Sequence, residues 1–398
     1  MAEAGPLSDI TVVDLSRVLA GPYCSMLLAD LGARVIKVER PGVGDDARSI
    51  GPFLESGDGT TRKSAYFMSL NRGKQSIALD LRDEADRKIF ESLIERCDVL
   101  VENFRPGAMD RLGYDWETLH ARYPSLIYAA TSGFGRTGPY AARPAYDMVV
   151  QGMGGIMSLT GHTGSPPTRV GTSVGDITAA LFTAVGINAA LYHRARSGRG
   201  QLVDVAMLDC QVAILENAIA RDQATGEVPG PLGARHPSIT PFDAFATADD
   251  HIIIAAGNDE YFRKLCQTLE RPALCERPEF ASNEKRTENH AALRAELEAA
   301  LRRKPGAEWL RRLEAAEIPC GPIQDVAQVL ADPQVIARNM VVTVQDNEVG
   351  ALQMAGNPIK FSDFADPAAR GPVPDLDGNR ETILDELRKR KRECPPDA

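Results

Sequence analysis

Asp176 follows the run Val170-Gly171-Thr172-Ser173-Val174-Gly175 and has no charged neighbour nearby in the chain. Beyond it Ile177, Ala180, Leu181, Ala184, Ile187, Ala190 and Leu191 recur at three- and four-residue steps. That spacing predicts one long helix from Ile177 to Arg194 with an apolar face. An aspartate entering such a helix can accept backbone N–H bonds as its N-cap, and the positive end of the macrodipole favours its ionised form. A carboxylate kept ionised among small and apolar residues can also act as a nucleophile toward an acyl group. On local sequence both readings stand: a cap alone, or a cap that attacks.

A second set of residues suits phosphate binding. Arg40, the loop Asn71-Arg72-Gly73-Lys74, the segment Asn103-Phe104-Arg105, and Arg111 all fall close to predicted strand ends. Arg forks and Lys point charges fit phosphate oxygens, and Phe104 offers a face for a purine ring. Scattered surface charge would account for the same residues. The segment Gly171-Thr172-Ser173-Val174-Gly175 matches a G-x-S-x-G nucleophile elbow, with Asp209 and His236 downstream in the matching order. An elbow should follow an apolar strand, however, and Pro166-Pro167 precedes this one. His236 lies in a turn-like segment with Arg235, where it either lines a cleft or is simply exposed. The six histidines show no ligand spacing and no P-loop occurs, so no metal site is expected.

The elements that position these groups read as α/β. Ile10–Leu15 and Val35–Glu39 are strands flanking a helix from Tyr23 to Leu31, a βαβ unit. Its first turn, Ala20-Gly21-Pro22, lacks the G-x-G-x-x-G of nicotinamide and flavin sites. Strands over 76–81, 98–101, 126–130 and 202–206 alternate with helices, the mark of a doubly wound parallel sheet. The composition shifts at Gly226–Pro231. The expected division is a large Rossmann-like domain over 1–225, a smaller α+β domain over 226–335, and a segment 336–398 returning to the large domain.

With 43% apolar and 25% charged residues the chain is of ordinary globular composition. A formal net charge of −10, with no basic run interleaved with aromatics, argues against nucleic acid. Seven cysteines, odd in number and without C-x-x-C, point to reduced thiols in a cytoplasmic setting and no zinc. Neither a secretory signal nor an apolar run of membrane-spanning length is apparent, so no membrane partner is expected.

Over nearly its whole length the chain resembles class III CoA-transferases, the family of formyl-CoA transferase and carnitine CoA-transferase. The carriers are Asp14–Pro22, Gly32–Gly42, Val101-Glu102-Asn103-Phe104 with Pro106-Gly107 and Arg111, Tyr146-Asp147, Gly175-Asp176, Gly198-Arg199-Gly200-Gln201 and Ile318-Pro319-Cys320-Gly321-Pro322. The resemblance implies that Asp176 is a nucleophile passing through an aspartyl–acyl anhydride and an enzyme–CoA thioester. Coenzyme A then enters as a substrate, with no metal or redox cofactor. It also implies CoA contacts from Arg40, Asn71, Arg72, Gly73, Lys74, Asn103, Phe104, Arg105 and Arg111. The stretch Ala145-Tyr146-Asp147 would stand beside the thioester, and the turn Val18-Leu19-Ala20 is a candidate holder of the oxyanion. An interlocked homodimer follows from the same likeness.

Two departures steer the substrate expectation. Leu19 stands where formyl-CoA transferases carry Gln, and Gly257–Tyr261 has one glycine where they have a Gly-rich flap. Both argue against formyl and oxalate chemistry. The stretch Gly233–Phe242 looks more like the branch in which succinyl-CoA donates to another dicarboxylic acid, with Arg235 or His236 on the distal carboxylate. The alternatives are an α-methylacyl-CoA racemase, which has His-Asp where this chain has Tyr146-Asp147, and a non-catalytic subunit, which the presence of Asp176 disfavours.

Overall fold

The computed structural model describes residues 5–393, with side chains through Lys389. Residues 1–4, part of the N-terminal stretch judged above, and Cys394 lie outside the described residues. The described residues form two compact units: one of residues 5–157, 169–227 and 333–393, the other of residues 158–168 and 228–332. The segment 158–168, placed in the large domain on sequence, therefore belongs with the smaller unit.

The larger unit is built on six strands: β1 (Thr11–Asp14), β2 (Arg34–Glu39), β3 (Gln75–Ala78), β4 (Val99–Glu102), β5 (Ile127–Ser132) and β6 (Leu202–Ala206). Their order is β3-β2-β1-β4-β5-β6 and every neighbouring pair is parallel. The helices that matter here are α1 (Ala20–Asp30), α2 (Ala65–Asn71), α3 (Glu84–Ile94), α4 (Asp147–Met153) and α5 (Val174–Ser197). Alternate strand residues serve opposite faces. Val12, Val35, Val99 and Ile127 pack under Cys24 and Leu28 of α1 and Ala180, Ile187 and Ala190 of α5. Val13, Ile36, Ile77 and Leu100 pack under Phe90, Leu93 and Ile94 of α3. Burial on both faces explains why these strands read as nearly unbroken apolar runs.

The strand order reverses between β1 and β4, since β1 pairs with β2 on one side and β4 on the other. At such a switch point the loops leaving the two strands diverge, and a crevice opens beyond their carboxyl ends. The loops in question are residues 15–19 and 103–107.

Helix α5 begins at Val174 with Ser173 as N-cap, so Asp176 lies inside the first turn and is not the cap. By length and composition α5 would suffice to cross a membrane, contrary to the count made on sequence. Here it packs on the sheet through Ala180, Ile187 and Ala190, leaving Leu181, Phe182, Val185 and Tyr192 exposed. The smaller unit, considered by itself, is α+β. Its antiparallel strands Phe242–Ala246, His251–Ala255 and Cys320–Pro322 back a core with Phe262, Leu265, Leu297 and Leu313.

Candidate active site

Two cavities share Arg17 and Phe104 at the switch point. The smaller, ≈ 190 Å³, is lined by residues 17–20 after β1, residues 103–106 after β4, Ala145, Tyr146 and Asp176. The larger, ≈ 550 Å³, is lined by Ser16, Arg17, residues 37–41, Asp80, Leu81, Arg82 and Phe104.

Asp176 reaches the smaller cavity from the first turn of α5, and its carboxylate has no hydrogen-bond partner among the described residues. Burial, and after it the Asp147 charge, push its pKa up to about 7. The macrodipole was expected to keep Asp176 ionised; desolvation outweighs it. Asp147 takes the place the sequence reading gave Asp176. Its Oδ1 accepts the Gly175 N–H at 2.8 Å, and its Oδ2 accepts from Gln151 Nε2 at 2.8 Å. Gln151 Oε1 in turn accepts the Val170 N–H at 2.9 Å. A Cβ on Gly175 would lie 2.7 Å from Val150 Cγ2 and 2.9 Å from Asp147 Oδ1, so only glycine allows this approach.

Tyr66 on α2 was not singled out on sequence. Burial first, then the charges of Asp176, Asp45 and Asp147, raise its phenol to about 12. The helix and loop around it gave no sequence signal.

The expected phosphate ligands divide. Arg40 lines the larger cavity, exposed and paired with Asp46. Phe104 borders both cavities under the Arg17 guanidinium, and Asn103 and Arg105 line the smaller one. Arg111 is exposed on the short helix Ala108–Leu112, whose Ala108 and Leu112 border the larger cavity. Arg17 and Arg82, not foreseen, also line it.

The Asn71–Lys74 loop is a correction: Asn71, Arg72 and Lys74 are buried, Gly73 is exposed, and none of the four lines either cavity. Arg72 pairs with Asp30 through Nε at 3.2 Å and Nη2 at 2.6 Å. Lys74 Nζ binds Asp14 at 3.1 Å, the Pro22 carbonyl at 2.9 Å and Asn71 Oδ1 at 2.8 Å. Burial lowers the Lys74 pKa to about 8, with Asp14 opposing. Gly73 turns with φ +72° and donates its N–H to Pro372. Asp14 is wholly buried at the end of β1, and these cations neutralise the interior.

In the smaller unit, Arg235 has a buried Nε without a partner among the described residues. His236 Nδ1 accepts the Ser238 N–H at 3.1 Å, and its ring lies 5.4 Å from that of Phe242. Gly257 is packed against Ile239, and Asn258 caps the helix Asp259–Thr268. No strand precedes Ser173, so the elbow geometry is not formed. Among the described residues no three His, Cys, Asp or Glu side chains gather as a metal site.

A switch-point crevice of nucleotide size leading to an unpartnered carboxylate is the layout of a group-transfer enzyme. Residues 7–380 match CoA-transferase family III, and the chain belongs to that family. It is 47% identical over 374 residues to an acetyl-CoA:oxalate CoA-transferase of Acetobacter aceti, spanning 94% of this chain and 93% of that one. It is 43% identical to a succinyl-CoA:mesaconate CoA-transferase of Haloarcula marismortui, over 96% of each. A crystal structure of a CaiB/BaiF family protein from Brucella suis superposes with TM-score 0.85 at 41% identity, covering 97% of this chain and 100% of that one. The resemblance, the α/β class and the transferase activity expected from sequence are borne out.

Proposed function

We propose that the chain moves CoA from an acyl-CoA donor, succinyl-CoA in the first instance, to a dicarboxylic acid through Asp176. The observation carrying this is the Asp176 carboxylate, free of partners in a cavity that adjoins the crevice holding Arg40 and Phe104. An Asp176 oxygen attacks the thioester carbonyl carbon, and the tetrahedral oxyanion collapses with loss of CoA thiolate to an aspartyl–acyl anhydride. The thiolate attacks the aspartyl carbonyl, releases the donor carboxylate and leaves Asp176 as a CoA thioester. The acceptor carboxylate then attacks that carbonyl and frees the thiolate, which takes the acceptor acyl group and restores Asp176. Once Asp176 is ionised, no proton need be supplied or removed at any later step.

In this reading the nucleotide of CoA occupies the larger cavity against Arg40, Arg82 and Phe104. Oxalate is kept among the acceptors to test, since a relative at 47% identity is named for it. Oxalate is itself a dicarboxylic acid, so the class stands. A homodimer accords with the apolar residues that α5 leaves exposed. The test is CoA transfer from succinyl-CoA to oxalate, mesaconate and glutarate, run beside α-proton exchange of a 2-methylacyl-CoA into deuterated water. Transfer without exchange is expected; exchange without transfer would establish the racemase instead.

A further inference from the structure

Val18 carries a left-handed backbone, φ +67°, and among the described non-glycine residues with positive φ it is the one with a β-branched side chain. A branched side chain is strained there, so its surroundings must hold it. Two grips do so. On one side Asn103 brackets the preceding residue: its Oδ1 accepts the Arg17 N–H at 2.8 Å and its Nδ2 donates to the Arg17 carbonyl at 2.7 Å. On the other, Asp45 Oδ1 accepts the Val18 N–H at 3.0 Å. Asp45 is itself fixed in the interior. It pairs with the buried Lys37 at 2.8 Å and accepts the Ala47 N–H at 2.9 Å, while Lys37 donates to the Ser16 carbonyl at 2.7 Å.

The strained residue immediately precedes the N-terminus of α1. Rotation about Val18 swings the Val18–Leu19 peptide and with it the Leu19 N–H. The N–H groups of Leu19 and Ala20 have no partner among the described residues, and both residues line the cavity that holds Asp176. The Val18 N–H, by contrast, is taken by Asp45 and is lost to any ligand.

We propose that Asp45 is a positioning residue for acyl transfer: with Asn103 it holds Val18 in the left-handed conformation, and that turn aims the Leu19 and Ala20 N–H groups at the oxyanion formed when Asp176 attacks. The inference rests on the transferase reading above. It explains why a valine can occupy a position that suits glycine, because the two grips supply the conformation that glycine would adopt unaided.

The test is a rescue. Asp45→Ala frees Val18 to relax, and kcat should fall by about 10²-fold, the scale of a misplaced oxyanion donor, with a smaller change in KM for the acyl-CoA. Adding Val18→Gly removes the strain that drives relaxation, so the double variant should recover at least about tenfold in kcat over Asp45→Ala. Val18→Gly alone gives the reference kcat against which the double variant is read. An Asp45→Ala enzyme of unchanged kcat, or a double variant no faster than the single, would overturn the proposal. Should Asp45→Ala fail to fold because Lys37 is left unpaired, Asn103→Ala with and without Val18→Gly reads the same rescue. Hydroxylamine trapping of Asp176 in the parent enzyme separates the two failures. No adduct there would sink the transferase reading, whereas an adduct without rescue sinks the positioning role alone.

Discussion

Asp176 is held between two demands. In the proposed mechanism it must lose its proton to attack, yet burial and Asp147 make the ionised form costly, with a pKa of about 7. The kcat/KM for acyl-CoA should therefore fall about tenfold per unit as pH drops below that value, a limb absent from an unperturbed aspartate. Asp147→Asn keeps an oxygen for the Gly175 N–H but removes the charge, so the limb should move to lower pH; an unmoved limb would show that Asp147 has no part in it. The stability sign follows from the same shift. A carboxylate whose folded pKa lies above its unfolded value binds more protons in the native state between about 4 and 7, so it costs stability as pH rises through that window. Asp176→Asn should raise Tm at pH 8, by about 1–2 °C for a gain on the order of 1 kcal/mol, and raise it less at pH 5. The same variant should lose about 10³-fold or more in kcat. A more stable and inactive protein is the expected outcome, checked by thermal melts beside the transfer assay.

Where α4 meets the entry of α5, one glycine decides the geometry. Gly175→Ala would drive a Cβ into Val150 and Asp147, at a cost of about 1–3 kcal/mol by overpacking, and would displace the carboxylate next in the chain. Both Tm and kcat should fall, unlike the Asp176→Asn outcome. What the sequence made legible at this scale follows from burial. Strands such as Ile127–Ser132, covered on both faces, announce themselves as apolar runs. Phe53–Glu55 and Cys320–Pro322 have three residues each and mixed polarity, too short for a period to show. Long-range pairing was equally hidden. Arg72 and Lys74 looked like phosphate ligands because their partners Asp30 and Asp14 lie 42 and 60 residues away in the chain. The start of α5 was missed by three residues because Asp176 looked like the cap, whereas the true N-cap, Ser173, makes no side-chain cap bond.

For the whole molecule, the face of α5 turned away from the sheet is unfinished. Val185 is 66% exposed and Tyr192 68%, with Leu181 and Phe182 beside them. Exposed apolar residues in such a row mark an interface, and the reading proposed above fills it with a second copy of the chain. Light scattering should give a dimer mass, and Val185→Glu should shift it toward a monomer; a parent protein that is monomeric at micromolar concentration would contradict the dimer. The catalytic expectations hang on one covalent step. The most direct measurement is mass spectrometry of the protein incubated with succinyl-CoA and quenched with hydroxylamine. The account predicts a hydroxamate confined to the peptide bearing Asp176 and absent from Asp176→Asn. An unmodified Asp176 in an enzyme that still turns over acyl-CoA would contradict it.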